Sequence, residues 1–459
     1  MSERSLAVIV LAAGKGTRTR VSMPKVLLPL CGAPLLEYAL DAASALRPEH
    51  IVVVLHHGME QIQEAMAARF ADAGCILVDQ GEPRGTGHAA QRALAALDEH
   101  VGGPFQGDIV VSYGDMPLIT PATLADLVQC LHVPHEQAHS GNGHPHIGAV
   151  ASVLTCDSLP SDGYGRILRD GEGRFLGIRE EKDCSPEELE IDEVNTGFYA
   201  FQGRALRECL PKLRSDNKQG EYYLTDVLGL LAEAGEDLET VLTFDPDETI
   251  GINNLAQLSE ARWVMQERIL LEHMDRGVII EDPATTVIER DVEIGAETKI
   301  LPFTVIRNGV RIGSHCEVGP FTHLRVGATL EDAAEVGNFV EMKKSTLGAG
   351  SKAKHLTYLG DTVIGQRANI GAGTITANYD GTNKHKTVIA DGAFIGSGTI
   401  VVAPRRVGEA ATTGAGAVVT KDVPDGEVHL GVPARLHRKK TPDKPPEGQG
   451  SPEGQGDAS

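Results

Sequence analysis

Residues 288–342 read IERDVEIGAETKILPFTVIRNGVRIGSHCEVGPFTHLRVGATLEDAAEVGNFVEM. An apolar residue returns at every sixth position: Ile288, Ile294, Ile300, Ile306, Ile312, Val318, Leu324, Leu330, Val336 and Met342. Such a period fits neither the turn of an α-helix nor the heptad of a coiled coil. It fits a parallel β-helix, in which each repeat is one short strand and one turn. The apolar side chain points into a narrow prism, and small residues such as Gly295, Gly313, Gly319 and Gly337 bend the chain at the corners. Each coil pairs with the next, so only the terminal coils have free edges. The period slips by one at Leu347, returns at Ile364 and Ile370, and continues through Ile389, Ile395, Val401 and Val407. A β-sandwich with evenly spaced strands is the alternative, and the unbroken run at one spacing argues against it.

The chain around this stretch has 459 residues, too many for one ordinary core, so two or three domains are expected. It carries 42 basic and 64 acidic residues, a net charge of −22 that argues against a general nucleic-acid or membrane-surface binder. Small anionic substrates need only a local cationic pocket. The seven cysteines are scattered and form no C-x-x-C pair, which argues against a disulfide framework or a zinc ribbon and for a reducing cytoplasm. The apolar run from Leu6 to Ala13 is too short to span a bilayer. Five histidines, His132, His135, His139, His144 and His146, lie among Gly, Asn and Pro and read as a solvated surface loop.

The first half reads as α/β. Leu6–Ala12, Ile51–Leu55 and Ile109–Ser112 look like buried strands, with a helical stretch at Leu35–Leu46. Strands alternating with helices predict a parallel sheet with ligands at the strand carboxyl ends. Residues 255–274 have helical spacing and form a candidate linker. Beyond Leu436 the chain is rich in Pro, Gly, Gln and charge, repeats PEGQG, and is expected to be disordered. The expected boundaries are 1–255, a linker helix 256–276, a β-helix 277–437 and a tail 438–459.

The first strand ends in LAAGKGTR, residues 11–18. Its glycines let backbone N–H groups approach a phosphate, and Lys15 and Arg18 add charge. It has neither the Walker A nor the Rossmann spacing. Pro24-Lys25 follows, with Lys25 aimed at phosphates. Gln80 precedes Gly85-Thr86-Gly87, and its amide edge matches the imide edge of uracil. Tyr113-Gly114-Asp115 ends a strand with a carboxylate where Mg2+ would be wanted, and Asn253 in GINN supplies a second oxygen. In the second half, two breaks in the hexad mark projecting loops: 341–344 with 354–358, and 378–386. His355 lies in the first and suits general-base work at neutral pH.

LAAGKGTR, PKVL, QGEPRGTGHA, YGDMPL, GYGRI, EEKD, VNTG, QGEYYLTD, GINN, KHLTYLGD and NIGAGTITANYDGTNKHKT occur in that order. Over residues 6–430 the chain resembles the bacterial bifunctional N-acetylglucosamine-1-phosphate uridyltransferase / glucosamine-1-phosphate acetyltransferase family. The resemblance implies a Rossmann-like nucleotidyltransferase domain followed by a left-handed parallel β-helix. It implies that Leu11, Ala12, Ala13, Gly14, Lys25, Gln80, Gly85, Thr86, Tyr113, Gly114, Asp115, Gly165, Glu180, Asn195 and Asn253 bind the nucleotide sugar. Asp115 and Asn253 would hold Mg2+, with UTP as co-substrate.

For the acetyl half it implies His355 as proton acceptor, flanked by Arg325, Lys343 and Tyr358. With Asn369 and Lys384 these would bind substrate. Ala372, Asn378, Tyr379, Ser397 and Ala415 would contact acetyl-CoA. The arginine that the family carries before Val-Pro is Gly431 here, and Arg435 is the candidate replacement. The family further implies a cytoplasmic homotrimer serving cell-wall synthesis, with Lys384 reaching a neighbour's site. The competing readings are a single-activity nucleotidyltransferase with a passive prism and a scaffold with a decayed nucleotide site. The basic loops argue against the first, and Lys25, Asp115 and Asn253 against the second.

Overall fold

The computed structural model describes residues 5–132, 148–158 and 163–439. The chain divides into two compact units, Met1–Met265 and Gln266–Ser459. The division falls inside the helix Leu255–Asp275, which covers the expected linker. Most of the histidine-rich stretch, including His135, His139, His144 and His146, lies outside the described residues, as does the tail from 440. No helix among the described residues is long and apolar enough to cross a membrane.

The first unit is built on a sheet of β1 (Leu6–Leu11), β2 (His50–Leu55), β3 (Ile76–Asp79), β4 (Asp108–Tyr113), β5 (Ala151–Cys156), β6 (Val194–Gln202) and β7 (Leu238–Leu242). Their spatial order is β7-β5-β6-β4-β1-β2-β3. β1 is parallel to both β2 and β4. The expected parallel sheet carries one antiparallel strand, because β6 runs antiparallel to β4 and β5. Both faces are nonetheless covered. On β1, Ala7, Ile9 and Leu11 enter one core and Val8 and Val10 the other. Burial on both faces is why this strand reads as an unbroken apolar run. The helix Thr86–Val101 packs Ala89, Ala90, Ala93 and Leu97 on the first face, and Leu35–Ala45 packs Leu36, Ala39 and Leu40 on the second.

The second unit is three stacks of short parallel strands, a left-handed parallel β-helix. Each coil is three hexads, so partners on neighbouring coils lie 18 apart, as for Ser314 and Asp332. Ile288, Ile306, Leu324 and Met342 stack in the core along one face, all fully buried. The slip at Leu347 is a coil one residue short, where Ser345 and Thr362 stand 17 apart. The later break is a coil carrying the 378–386 loop, which spaces Gln366 and Asp391 by 25. Where a glycine follows the aliphatic residue, the next coil explains it. A Cβ at Gly313 would sit 2.4 Å from Asp332 Oδ1, and one at Gly365 2.1 Å from Asp391 Oδ1. These aspartates accept backbone N–H bonds at the corners, Asp332 from Ser314 at 2.8 Å and Asp391 from Gln366 at 2.9 Å.

The last strand, Arg435–Lys439, pairs antiparallel with Glu427–Leu430 and closes the helix edge. The expected tail boundary at 438 therefore moves, since Val428 faces Arg438 and Glu427 faces Lys439. Truncating Ile306 to Ala would remove a fully buried side chain from between two coils that hold each other in register. The expected loss is about 2–5 kcal/mol of β-helix stability, read as a fall in the urea midpoint of the intact chain.

Candidate active sites

The carboxyl ends of β1 and β4 lie side by side, with Leu11 opposite Tyr113 and the Gly114 N–H bonded to Leu11 O at 3.0 Å. The strand order reverses here, so the loops after the two strands open at one rim. Gly114 is tightly packed, because a Cβ would stand 3.0 Å from Ala12 and Leu36 side-chain atoms and make them give way. Leu11, Ala12 and Ala13 are buried beneath this rim and Gly14 is exposed on it. Lys25 is only 7% exposed. Its ammonium donates to Asp115 Oδ2 and, at 3.3 Å, to Asn253 Oδ1. Arg18 Nη2 donates to the same Asn253 Oδ1 at 2.8 Å. The Ile252 N–H bonds to Asp115 O at 2.9 Å, which ties the GINN segment to the YGD segment.

Asp115 Oδ2 and Asn253 Oδ1 thus converge within reach of one cation. A carboxylate plus an amide oxygen is a donor set that suits Mg2+ when phosphates and water complete the octahedron. Among the described residues no group of three His, Cys, Asp or Glu could hold a metal.

Beside this pair opens a cavity of about 450 Å³. Of the expected residues, Thr86, Tyr113, Asp115, Gly165, Glu180, Asn195 and Asn253 line it. Leu11, Ala12, Ala13, Gly14, Lys25, Gln80, Gly85 and Gly114 do not. Sequence reasoning did not single out Tyr164, Tyr199, Glu221, Tyr223 and Thr225, which also line it. Four of these lie in the recognised motifs GYGRI and QGEYYLTD, but only packing decides which motif residue faces inward. The second motif also braces the glycine-rich loop. Tyr222 O accepts from the Gly87 N–H at 2.8 Å, and Thr86 Oγ1 accepts from Leu224 N at 3.1 Å. Gly85 has φ +102°, and a Cβ there would lie 2.5 Å from Tyr222 O. Buried Gln80 donates Nε2 to Gly85 O at 3.1 Å. Asn195 donates to Tyr199 OH at 2.9 Å and accepts from the Gly197 N–H at 3.1 Å. Burial pushes the Glu180 carboxyl up, and nearby acidic side chains add to the effect. Burial also raises Tyr113, with Glu180 and Asp115 contributing.

In the β-helix most of the expected residues gather around one face. Asn338 pairs with His355, and the Gly373 N–H bonds to His355 O at 3.4 Å. The Gly398 N–H bonds to Ala372 O at 2.7 Å, and the Gly416 N–H to Ser397 O at 2.8 Å. His355, Ala372, Ser397 and Ala415 therefore form a ladder up one corner of the prism. It ends beside Gly431, since Thr413 pairs with His429. Gly431 has φ +86°, a conformation unfavourable to arginine, and Arg435 pairs with adjacent Leu430.

Across the same face, Lys343 pairs with Gly360, and the Asp361 N–H bonds to Lys343 O at 3.0 Å. The backbone of Lys343 stands at the far end of this face from His355, and the Arg325 N–H bonds to Met342 O at 2.8 Å one coil below it. Lys384 comes within hydrogen-bond reach of Lys343 of its own chain and depresses its pKa. Arg325 is ion-paired with Glu341 at 2.6 Å. Buried Asn378 donates to Asp361 Oδ2, while exposed Tyr379 donates its hydroxyl to Gly381 O. Tyr358 lies between the two edges. A Cβ at Gly360 would sit 2.6 Å from its hydroxyl and 2.8 Å from Asn378 Nδ2. Asn369 pairs with Lys352 and Phe394 on the neighbouring face.

Residues 8–174 match the MobA-like NTP transferase domain, and residues 291–325 match the bacterial transferase hexapeptide (six repeats). Fold and sites define a nucleotidyltransferase fused to a hexapeptide-repeat acyltransferase. "Bifunctional protein GlmU" of Shouchella clausii is 40% identical over 449 residues, covering 91% of this chain and 94% of that protein. The protein of the same name in Kineococcus radiotolerans is 41% identical, covering 93% and 89%. That of Trichlorobacter lovleyi is 42% identical, covering 91% and 94%. The chain belongs to this GlmU family.

The position of Glu180 leads to a pH-dependent expectation. Its folded pKa is raised above the ordinary 4.5, so its contribution to stability is fully present below that value and fades as pH rises through the folded pKa. Glu180→Gln keeps an acceptor for Thr225 Oγ1 and cannot ionise. Its stability relative to the parent should grow as pH rises from about 4.5 toward 8. Thermal unfolding at several pH values measures this, and a difference independent of pH would refute it.

Proposed function

We propose that the chain acetylates glucosamine 1-phosphate with acetyl-CoA and then transfers UMP from UTP to N-acetylglucosamine 1-phosphate, releasing pyrophosphate. The observation that carries this reading is the 40% identity to a bifunctional relative across 91% of the chain, through both units. The competing single-activity reading does not account for the paired lysines on the prism. Residues 1–255 serve uridyl transfer, 256–276 form the linker helix, and 277–437 serve acetyl transfer.

In the first site the attacking sugar phosphate is already an anion, so no side-chain base is required. The protein's work is alignment and charge stabilisation. Lys25 and Arg18 stand at the rim to take triphosphate charge, and Gln80 with Gly85 and Thr86 form the nucleobase end. Glu180, Asn195 and Gly165 line the sugar cavity. Asp115 and Asn253 hold Mg2+, which when bound neutralises phosphate charge.

In the second site the acceptor amine must lose a proton as it attacks the thioester, and exposed His355 takes it. Acetyl-CoA lies along the ladder of Ala372, Ser397 and Ala415, with Arg435 on its phosphates in place of the arginine missing at 431. Asn378 and Tyr379 contact it from the loop. Lys343 and Lys384, with Arg325, Tyr358 and Asn369, bind the sugar phosphate.

We assign a homotrimer, in which neighbouring prisms pack side by side and the 378–386 loop carries Lys384 toward a neighbour's acetyl site. An exposed apolar stripe supports this. Phe303, Phe321 and Phe339 stack on successive coils with ring centroids 4.7 and 5.2 Å apart, and exposed Leu356 continues them. We further propose a cytoplasmic role supplying cell-wall precursor, which the seven free cysteine thiols suit.

Two assays on one preparation test the chemistry. Asp115→Asn should abolish most uridyl transfer and spare acetyl transfer. His355→Ala should lower acetyl-transfer kcat about 10²–10⁴-fold and spare uridyl transfer. If either variant keeps near-full activity in its own assay, that residue's role is wrong. Assembly is tested separately: Phe321→Glu should dissociate the trimer in light scattering, and an active monomeric parent would refute the trimer.

A further inference from the structure

The two oxygens suited to Mg2+ are already engaged by the protein's own cations. Lys25 Nζ bonds to Asp115 Oδ2 and lies 3.3 Å from Asn253 Oδ1. Arg18 Nη2 bonds to that same Asn253 oxygen at 2.8 Å. Lys25 is buried, so its charge is poorly screened there. The lysine is also held by its backbone. The turn Lys25–Leu27 is a 3-10 segment, and the Leu28 N–H bonds to Lys25 O at 3.0 Å. Opposite, the Lys25 stem closes off Gly16, where a Cβ would lie 2.7 Å from Lys25 Cβ.

We propose that Lys25, assisted by Arg18, is an internal cation that holds the Asp115–Asn253 pair closed to metal until a nucleotide triphosphate draws both side chains onto its phosphates. The inference rests on the uridyltransferase reading and adds an order to it: metal enters with the nucleotide, not before it. The physical basis is competition. A divalent ion placed between the two oxygens would lie within a few ångströms of an ammonium, and at that separation like charges repel strongly in a partly buried site. A triphosphate offers the lysine and arginine better partners, because charge-assisted bonds to phosphate oxygens are strong. Their departure exposes the carboxylate and the amide oxygen together. The arrangement also keeps Asp115 from standing as an unpaired charge at the rim.

The test is Mn2+ binding by the full chain, followed by the paramagnetic resonance signal of the free ion. Without nucleotide, the parent should bind Mn2+ weakly. Lys25→Met should bind it at least about tenfold more tightly, because the competing charge is gone. Adding Asp115→Asn to that variant should abolish the gain, which places the ion at this pair. Arg18→Met, at an exposed position, should give a smaller gain in the same direction and guards against loss of fold in the buried variant. Circular dichroism checks both. With UTP present, the parent should bind Mn2+ tightly. Equal affinity of parent and Lys25→Met without nucleotide, while UTP still recruits the ion to the parent, would overturn the proposal and leave the enzymatic reading standing. Failure of UTP to recruit Mn2+ to the parent would instead overturn the reading beneath it.

Discussion

The constraint on which the second unit depends is the close approach of one coil to the next. Backbone bonds such as Gly313 N–H to Leu330 O at 2.8 Å join coils at every face. At the corners the approach is closer than a Cβ allows, which is why glycine follows the buried aliphatic residue at 313, 337 and 365. Each coil therefore stacks on its predecessor in one register, and outward residues separated by one coil become neighbours. The ladder of His355, Ala372, Ser397 and Ala415 is a direct product of that stacking. So is the Phe303–Phe321–Phe339 stripe on the same corner.

The same logic explains why departures from the hexad matter. A coil short by one residue, or long by a loop, still conserves the core aliphatics, because Ile364 pairs with Ile389 and Ile370 with Ile395 across the long coil. The extra residues have nowhere to go but outward. There the 378–386 loop braces itself, with Asp380 accepting from the N–H groups of Thr382 and Asn383 and contacting His385 at 2.7 Å. That bracing and the His385 contact hold the Asp380 carboxyl well below the usual carboxylate range. A loop stiffened this way can keep Lys384 against Lys343 despite their mutual repulsion, which makes the pair a ready partner for a phosphate.

In the first unit the organising fact is the adjacency of β1 and β4. It brings Lys25, which follows β1 by a short loop, against Asp115, which follows β4, although 90 residues separate them. Asn253 joins from 228 residues beyond Lys25. A cation-rich loop and a carboxylate–amide pair then share one rim, so the Asp115 charge is paired there before any ligand arrives and the rim stays net positive. Next to it the cavity is walled by Tyr113, Tyr164, Tyr199 and Tyr223, a lining suited to a sugar ring carrying hydroxyls.

Sequence alone determined the β-helix, because a period of six over ten repeats is a local pattern that one geometry satisfies. It also determined the identity of the chemical groups: the glycine-rich loop, Lys25, Asp115, Asn253 and His355 are all readable as motifs. The antiparallel insertion of β6 was not legible, since a strand buried on both faces has the same composition whichever way it runs. Nor could the sequence tell that Tyr199 or Thr225 would face the cavity. Strand direction and facing depend on contacts between residues far apart in sequence. The tertiary structure alone decided them, through the register of coil on coil and strand on strand.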